Sequence, residues 1–169
     1  MKLLKFLQGH EKDVKGRFLF NYWEADNQWL EETHDYIQWM FPLNTRSFHH
    51  PFIAPVLKDS ELEIAKNDEI IQHNMIVSFQ RMLEFYGLRF NEEENKIEKN
   101  DSFDERVKVW LYPNNHNHLR LTRIIKSMRL FGLSTYAEML LDFLIGLASE
   151  VDCFTKRTRS IWMEMKFRK

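Results

Sequence analysis

The sequence has few of the residues that break or crosslink a chain. Its 169 residues include five glycines, four prolines and a single cysteine, Cys153. A lone cysteine excludes an internal disulfide and a zinc site built from several cysteines, and it favours a reducing compartment. Scarce glycine and proline, beside fourteen phenylalanines, five tryptophans and eight methionines, favour helices over a β-sandwich or barrel.

A surplus of charge and a long apolar run are also missing. Lys and Arg number 24 against 25 Asp and Glu, which gives a net charge of −1. This balance removes the simplest argument for nucleic-acid binding, because non-specific DNA affinity comes mainly from a cationic surplus. No apolar run approaches the roughly 18 residues that span a bilayer, and the apolar start of the chain is too short for a signal peptide. We therefore expect a cytoplasmic protein without an integral membrane segment.

The composition is that of a folded chain. Hydrophobic residues make up 44% and charged residues 29%, a balance that lets burial offset ordering entropy. The length fits one domain over residues 1–169, with a core at about 7–165. The expected fold is all-α, a compact multi-helix domain with one long proline-containing loop. For a segment near 88–98, which carries an acidic run, a small β-hairpin and a solvated loop are both open.

Start and stop signals divide the chain into helices. The first 25 residues are expected to be irregular, with at most one short helix. Asp26 is a good N-cap for a helix that Pro42 ends, and Gly87 is a natural helix stop. Thr135 and Glu138 match a capping box. The predicted helices cover 17–23, 27–41, a short segment from 59 or 60, 68–86, 102–111, 115–131, 135–149 and 155–167. Between the second and third of these, residues 43–57 form the longest loop.

Trp39 does not fit the amphipathic pattern of the helix predicted over 27–41. At about 100° per residue the other large apolar side chains share one arc, whereas Trp39 lies beside Asp35 on the polar side. Such an indole either packs against another layer of the fold or forms a platform for a partner. We favour packing, because large aromatic side chains are mostly buried.

A polar stripe is predicted on the helix over 115–131. Its apolar side chains share one face, while His116, Arg120, Arg123 and Ser127 line another. Near a helix N-terminus, His116 and the two arginines are suited to holding a carboxylate or phosphate.

The alternative for this stripe is structural. Asn115 and His116 would cap the helix, and both arginines would pair with internal carboxylates such as Asp35 or Glu84. We favour this alternative, since most such stripes satisfy neighbouring polar groups.

No motif identifies a catalytic reaction. There is no Gly-rich phosphate loop, no Gly-x-Ser-x-Gly and no His-Glu-x-x-His. Adjacent histidines on a helix point about 100° apart and chelate poorly, so we expect no metal and no cofactor. A hydrolase or transferase that uses His34, Asp35 and His116 for proton transfer is one alternative to a binding function. Nucleic-acid binding through the basic last helix, with clusters at 156–159 and 166–169, is another.

Four ordered blocks of the sequence resemble the conserved domain of the opioid growth factor receptor family. They span roughly residues 7–162, nearly the whole chain, with Met40 where leucine is more usual. The short length is similar to that of short microbial members. The blocks are Leu30–Pro42 (LExxHDYIQWMFP), Ala54–Leu57 (APVL), Arg81–Leu88 (RMLEFYGL) and Asn115–Ile124 (NHNHLRLTRI).

The resemblance implies a receptor-like function, because the animal member is known as a receptor for the pentapeptide Met-enkephalin. We therefore expect a non-enzymatic binding or regulatory module that recognises a peptide or an anionic ligand. The side chains expected to bind it are His34, Asp35, Gln38, Trp39, His116, His118, Arg120 and Arg123.

Overall fold

The fold is mostly helical with one small hairpin. A computed structural model of the chain describes residues 1–168, and it confirms the expected all-α class. The elements in chain order are α1 (Lys2–Leu7), α2 (Leu19–Glu24), α3 (Asn27–Glu32), α4 (Ile37–Met40), α5 (Asp59–Asn67), α6 (Glu69–Tyr86), β1 (Leu88–Asn91), β2 (Lys96–Lys99), α7 (Phe103–Trp110), α8 (Asn117–Leu130), α9 (Ser134–Glu150) and α10 (Lys156–Phe167).

The core is one buried cluster that runs from α1 to α10. The apolar stripe of α6 and the apolar face of α8 are both buried in it, as their 3.6-residue spacing predicts. Trp162 of α10 is fully buried, and its Nε1 donates to Thr122 Oγ1 at 2.9 Å. Over residues 1–168, no helix combines the length and apolarity that a membrane crossing needs.

The segment after Gly87 is a hairpin and not a solvated loop. β1 pairs with β2 in antiparallel register, with Leu88 opposite Lys99. Gly87 ends α6 with φ of 77°, and a Cβ added there would lie 2.7 Å from the Cα of Phe103. Both the backbone angle and the close packing of α7 therefore require glycine.

The helix predicted over 27–41 is wrong as a single helix. Asp26 caps its start as predicted, because its side chain accepts from Trp29 N at 2.8 Å. The helix then stops at Glu32, and Thr33 is extended, with φ of −93° and ψ of 125°. Carbonyl groups freed by this break receive hydrogen bonds from α8, so tertiary contacts override local periodicity.

Three further boundaries differ from the predictions. α1 lies in the segment expected to be irregular, and its Leu3, Leu4, Phe6 and Leu7 are buried. α8 begins at Asn117, after residues 115 and 116. The predicted capping box of α9 is absent: Leu133 is the N-cap without a side-chain bond, and Glu138 instead accepts from Arg129. By contrast, Thr155 caps α10 by accepting from Thr158 N.

The long loop over 43–57 is closed at its base. Leu57 N donates to Leu43 O at 2.9 Å, and Leu43 pairs with Val56 in an isolated parallel bridge. The body of the loop carries Phe48 and Phe52, which are 93% and 92% exposed. It covers one side of the cavity described next.

Candidate functional site

The polar stripe of α8 faces the segment over 30–42. Ser127 Oγ donates to Pro42 O at 2.8 Å, and Arg123 Nε donates to Phe41 O at 2.9 Å. One turn earlier on α8, Arg120 bonds the end of α3. These bonds hold the two segments together, and a recess remains between them.

This recess is a cavity of about 300 Å³, here called the inner pocket. It lies between α8, α4 and the loop over 43–57. Its wall is formed by His34, Ile37, Gln38, Ser47, His49, His50, His116, Leu119, Arg120 and Arg123. Five of the eight side chains predicted from the sequence to bind a ligand are therefore brought together: His34, Gln38, His116, Arg120 and Arg123.

A larger depression of about 790 Å³, here called the outer groove, continues from the inner pocket. The two share Ser47, His49, His116, Leu119 and Arg123. Beyond them the outer groove is lined by residues of the loop over 43–57, of the approach to α8 and of α10. It adds the cations Lys126 and Arg157 and the apolar side chains Leu43, Phe48 and Ile161.

The charge of these walls has one sign. Neither the inner pocket nor the outer groove is lined by an aspartate or a glutamate, although the chain carries 25 of them. Four Lys and Arg side chains line the two cavities. Five of the seven histidines in the sequence do so as well. The four Lys and Arg side chains give these walls a positive potential, which attracts anions.

The guanidinium of Arg120 is used for hydrogen bonds within the protein. It is 5% exposed, and its Nη1 and Nη2 donate to Leu30 O at 2.9 Å and Thr33 O at 2.8 Å. Its guanidinium also lies over the Tyr36 ring, 5.4 Å from the centroid. Arg120 thus satisfies the carbonyl groups that the end of α3 leaves free.

The guanidinium of Arg123 is only partly used for hydrogen bonds within the protein. Its Nε bonds Phe41 O, but its Nη2 has no hydrogen-bond partner within the protein. Burial lowers the pKa of Arg123 to about 10, so it remains a cation at neutral pH. Gln38, which is 5% exposed, likewise leaves its Oε1 without a partner. Two side chains that line the inner pocket thus each carry a buried polar atom that the protein leaves unpaired, a donor on Arg123 and an acceptor on Gln38.

The two histidine rings of the inner pocket lie edge to face, 5.2 Å apart. Glu31 Oε1 lies 2.8 Å from His116 Nε2, so this nitrogen carries the proton. An arginine only donates, and Arg120 Nη2 lies 3.3 Å from His34 Nδ1, which leaves the proton of a neutral His34 on Nε2.

The pKa of His116 lies below its usual value. Desolvation by burial is the main cause, with Arg120 and His34 acting in the same direction, and together they outweigh the opposing effect of Glu31. His116 is consequently neutral at pH 7.

The other three predicted site residues lie outside the inner pocket. Asp35 forms salt bridges with Lys15 and with Arg17, the latter at 3.0 Å. Burial opposes the ionisation of Asp35, but these two cations outweigh it and hold its pKa below its usual value. Trp39 is 5% exposed and packs edge-on against Phe6, with centroids 5.1 Å apart, so it belongs to the core.

His118 is also largely a packing residue. It is 3% exposed, its Nε2 lies 2.7 Å from Trp110 O, and its ring packs against Phe154 at 4.7 Å. It reaches the wall of the outer groove but not that of the inner pocket.

Comparison with known proteins places the chain in a family. A family model of the opioid growth factor receptor conserved region matches residues 6–162. The chain belongs to this family.

It is similar to opioid growth factor receptor-like protein 1 of Mus musculus, with 31% identity over 127 residues, 75% of this chain and 27% of that protein. It is also similar to the opioid growth factor receptor of Homo sapiens, with 32% identity over 124 residues, 73% of this chain and 18% of that protein. The chain thus spans about a quarter or less of the length of these relatives. No solved structure matches it.

In this member of the opioid growth factor receptor conserved-region family, the arginine partners differ from those that the sequence predicted. Neither Arg120 nor Arg123 pairs with Asp35 or Glu84, and both bind main-chain carbonyl groups instead. The break in the predicted helix frees the carbonyl groups that Arg120 binds, and Asp35 instead pairs with Lys15 and Arg17, which precede α2. Asn115 does cap the approach to α8, accepting from Asn117 N at 2.9 Å.

The three side chains suggested for acid–base chemistry do not form one cluster in this domain. His34 and His116 meet in the inner pocket, but Asp35 is bound by Lys15 and Arg17 elsewhere. Within residues 1–168, no group of three or more His, Cys, Asp or Glu side chains is arranged to hold a metal ion.

Three residues of the basic clusters of the last helix, Arg159, Lys166 and Arg168, have partners inside the domain. Arg159 donates to Ala148 O at 2.7 Å and to three other acceptors. Lys166 pairs with Asp142, and Arg168 lies 3.9 Å from Glu164. Lys169, the last residue of the second cluster, lies outside the described residues. Of the first cluster, Arg157 lines the outer groove.

Seven residues of the site were not among those predicted from the sequence. Five of them line the inner pocket, namely Ile37, Ser47, His49, His50 and Leu119, and two support it, namely Glu31 and Asn117. Glu31 orients His116 and accepts from Asn117 Nδ2 at 2.9 Å. It lies three residues before His34, but the helix break between them hides their relation from a periodicity argument. Leu119 is 57% exposed at the junction of the two cavities, and an exposed leucine in an amphipathic helix was the available signal.

Proposed function

We propose that this domain is a non-enzymatic binding module whose inner pocket holds the anionic group of a peptide or other ligand. The main support for this proposal is the set of residues that line the inner pocket and the outer groove. Arginines and histidines converge there, and no carboxylate lines either cavity. Buried or half-buried cations attract an anion strongly, because water screens them less than it screens surface charges.

The roles of the side chains follow from their other bonds. Arg120 is used by the end of α3, so it supports the inner pocket and supplies positive charge. Arg123 has the unused N–H group that a bound oxygen requires. The rest of the ligand would lie in the outer groove, against the exposed Leu119 and the apolar Phe48 and Ile161.

The names of the relatives agree with such a function, since they describe an opioid growth factor receptor and a protein like it. The lone cysteine and the lack of a membrane-crossing helix in residues 1–168 support a cytoplasmic location as part of the same proposal.

The test is a titration of the folded chain with acetate, sulfate and inorganic phosphate, followed by NMR of the backbone amides. We expect at least one of the three anions to shift the resonances around Arg123 and His116. The variant Arg123→Met should weaken that binding at least tenfold, because a charge-assisted hydrogen bond is lost.

The matched control is Arg89→Met, which removes an arginine on the hairpin that pairs with Glu98 and lines neither cavity. It should bind as the natural chain does. Absence of binding by all three anions, or equal loss in both variants, would show that the inner pocket is not an anion site.

A further inference from the structure

Two side chains that line the inner pocket, Gln38 and Arg123, each carry a polar atom without a partner, and these atoms define what a ligand must offer. Gln38 Nε2 donates to His34 O at 3.3 Å, and only the amide nitrogen can make this bond. The free atom of Gln38 is therefore an acceptor, Oε1, while the free atom of Arg123 is a donor, Nη2. Both are shielded from bulk water, and they do not bond each other. Unpaired buried groups of this kind are costly, which favours a ligand that satisfies both.

A ligand that serves both atoms must combine an oxygen that accepts from Arg123 with a proton that it donates to Gln38. Carboxylates and sulfate carry negative charge but no proton to donate. A neutral amide has a donor and an acceptor, but no charge to match the cationic wall. Phosphate has both, because inorganic phosphate at neutral pH keeps at least one P–OH group. A phosphate monoester keeps one as its monoanion, below a second pKa of about 6.

We propose that the inner pocket recognises a phosphate group in a form that retains a proton, with its P–OH donating to Gln38 Oε1 and another oxygen accepting from Arg123 Nη2. The inference rests on the proposed function and names the chemistry of its ligand. A tetrahedral group also has an oxygen left to accept from the Nε2–H group of His34, which lines the same wall.

The phosphate can come from two sources that share this chemistry, inorganic phosphate or a monoester. The inner pocket opens past Leu119 into the outer groove, where Lys126 and Arg157 lie beyond it. This opening leaves room for the organic part of a monoester.

The experiment compares phosphate with sulfate at pH 8 and constant ionic strength, by calorimetry or NMR. At this pH the main species of both are dianionic tetrahedra, and they differ in one hydroxyl proton. We expect phosphate to bind the natural chain about tenfold more tightly than sulfate, the difference that one buried hydrogen bond makes.

The variant Gln38→Leu should bring the two affinities to within about twofold, since it removes the acceptor that only phosphate uses. Gln38→Glu gives a second, opposite test. It should weaken both anions through repulsion but widen the preference for phosphate, because a carboxylate accepts from P–OH and repels sulfate. The control Gln28→Leu, at an exposed position of α3, should keep the preference of the natural chain.

Titrations with glycerol 3-phosphate and O-phosphoserine at pH 6 distinguish a phosphate monoester from inorganic phosphate as the ligand. Tighter binding of either than of inorganic phosphate supports the proposal and identifies a monoester, and weaker binding of both supports it for the free ion. Equal binding of sulfate and phosphate, or a preference that survives Gln38→Leu, would overturn the inference while leaving the anion site intact. No binding of any anion would instead refute the proposed function.

Discussion

The ends of α3 and α4 are each bound by one arginine of α8, but the two arginines differ in whether a buried N–H group remains without a partner. At the end of α3, Arg120 donates to the carbonyl groups of Leu30 and Thr33 and is 5% exposed. At the end of α4, Arg123 donates only to Phe41 O and keeps Nη2 unpaired. The first arginine completes the fold, and the second leaves a donor for a ligand.

This difference separates stability from binding on one helix face. Carbonyl groups at a helix end must find donors, and a buried guanidinium supplies several at once. Where the guanidinium serves several carbonyl groups, as at Arg120, its loss damages the fold. Where a buried N–H group is left unpaired, as at Arg123, its loss mainly removes a binding group.

The largest expected effect follows from exchanging each arginine for methionine. Arg120→Met should lower the free energy of unfolding by about 3 kcal/mol, since it leaves the carbonyl groups of Leu30 and Thr33 buried without donors. Arg123→Met should lower it by about 1 kcal/mol, because only the bond to Phe41 O is lost. Urea unfolding followed by circular dichroism measures both.

Arg120→Lys is the informative companion. It keeps the charge but cannot place two N–H groups in a fork, so it should recover less than half of the lost stability. If both methionine variants unfold at the same urea concentration, the contrast between the two arginines does not hold.

Much of the fold was predictable from local signals. Asp26, Gly87 and Thr155 mark helix ends by their own chemistry, since two side chains accept from a first-turn N–H group and the glycine adopts a positive φ. The break after Glu32 was not predictable in this way. It is stabilised by Arg120, some ninety positions away in the chain. The periodicity of a short stretch of sequence carries no information about such a long-range contact.

The candidate site was predictable in part for the same reason. The stripe of His116, Arg120 and Arg123 follows from helical spacing, and it does line the inner pocket. An unbroken helix over 27–41 would place Trp39 beside Asp35 on its polar side. Once the helix breaks, Asp35 turns to Lys15 and Arg17, and Trp39 packs on α1, a helix that the sequence analysis missed.

A smaller effect is expected from the pH dependence of stability, in which the buried His118 is compared with the half-exposed His116. Burial holds the pKa of His118 below 6.5, outweighing its hydrogen bond to Trp110 O. Because the unfolded chain binds the proton more readily, this stabilisation is present above pH 6.5 and is lost as the pH falls through the lower, folded-state pKa. The unfolding free energy should therefore fall on acidification, by at most about 1.4 kcal/mol per pH unit for this group.

Urea unfolding between pH 7.5 and pH 5 tests this dependence. His118→Gln should flatten it, whereas His116→Gln should flatten it less, because Glu31 offsets part of the shift at His116. A pH dependence that is unchanged in His118→Gln would show that other groups control acid stability.

The smallest expected effect concerns Glu31, the carboxylate that sequence analysis missed. Glu31 raises the pKa of His116 against the stronger effect of burial, so Glu31→Gln should lower that pKa further. The pair is partly exposed, at 41% and 24% of the two side chains, and its loss should change the unfolding free energy by only about 0.5 kcal/mol. An NMR titration of the His116 ring protons measures the shift, with Glu32→Gln as the matched control at the exposed neighbouring position. A His116 pKa that rises in Glu31→Gln, or falls equally in both variants, would mean that Glu31 does not raise the pKa of His116.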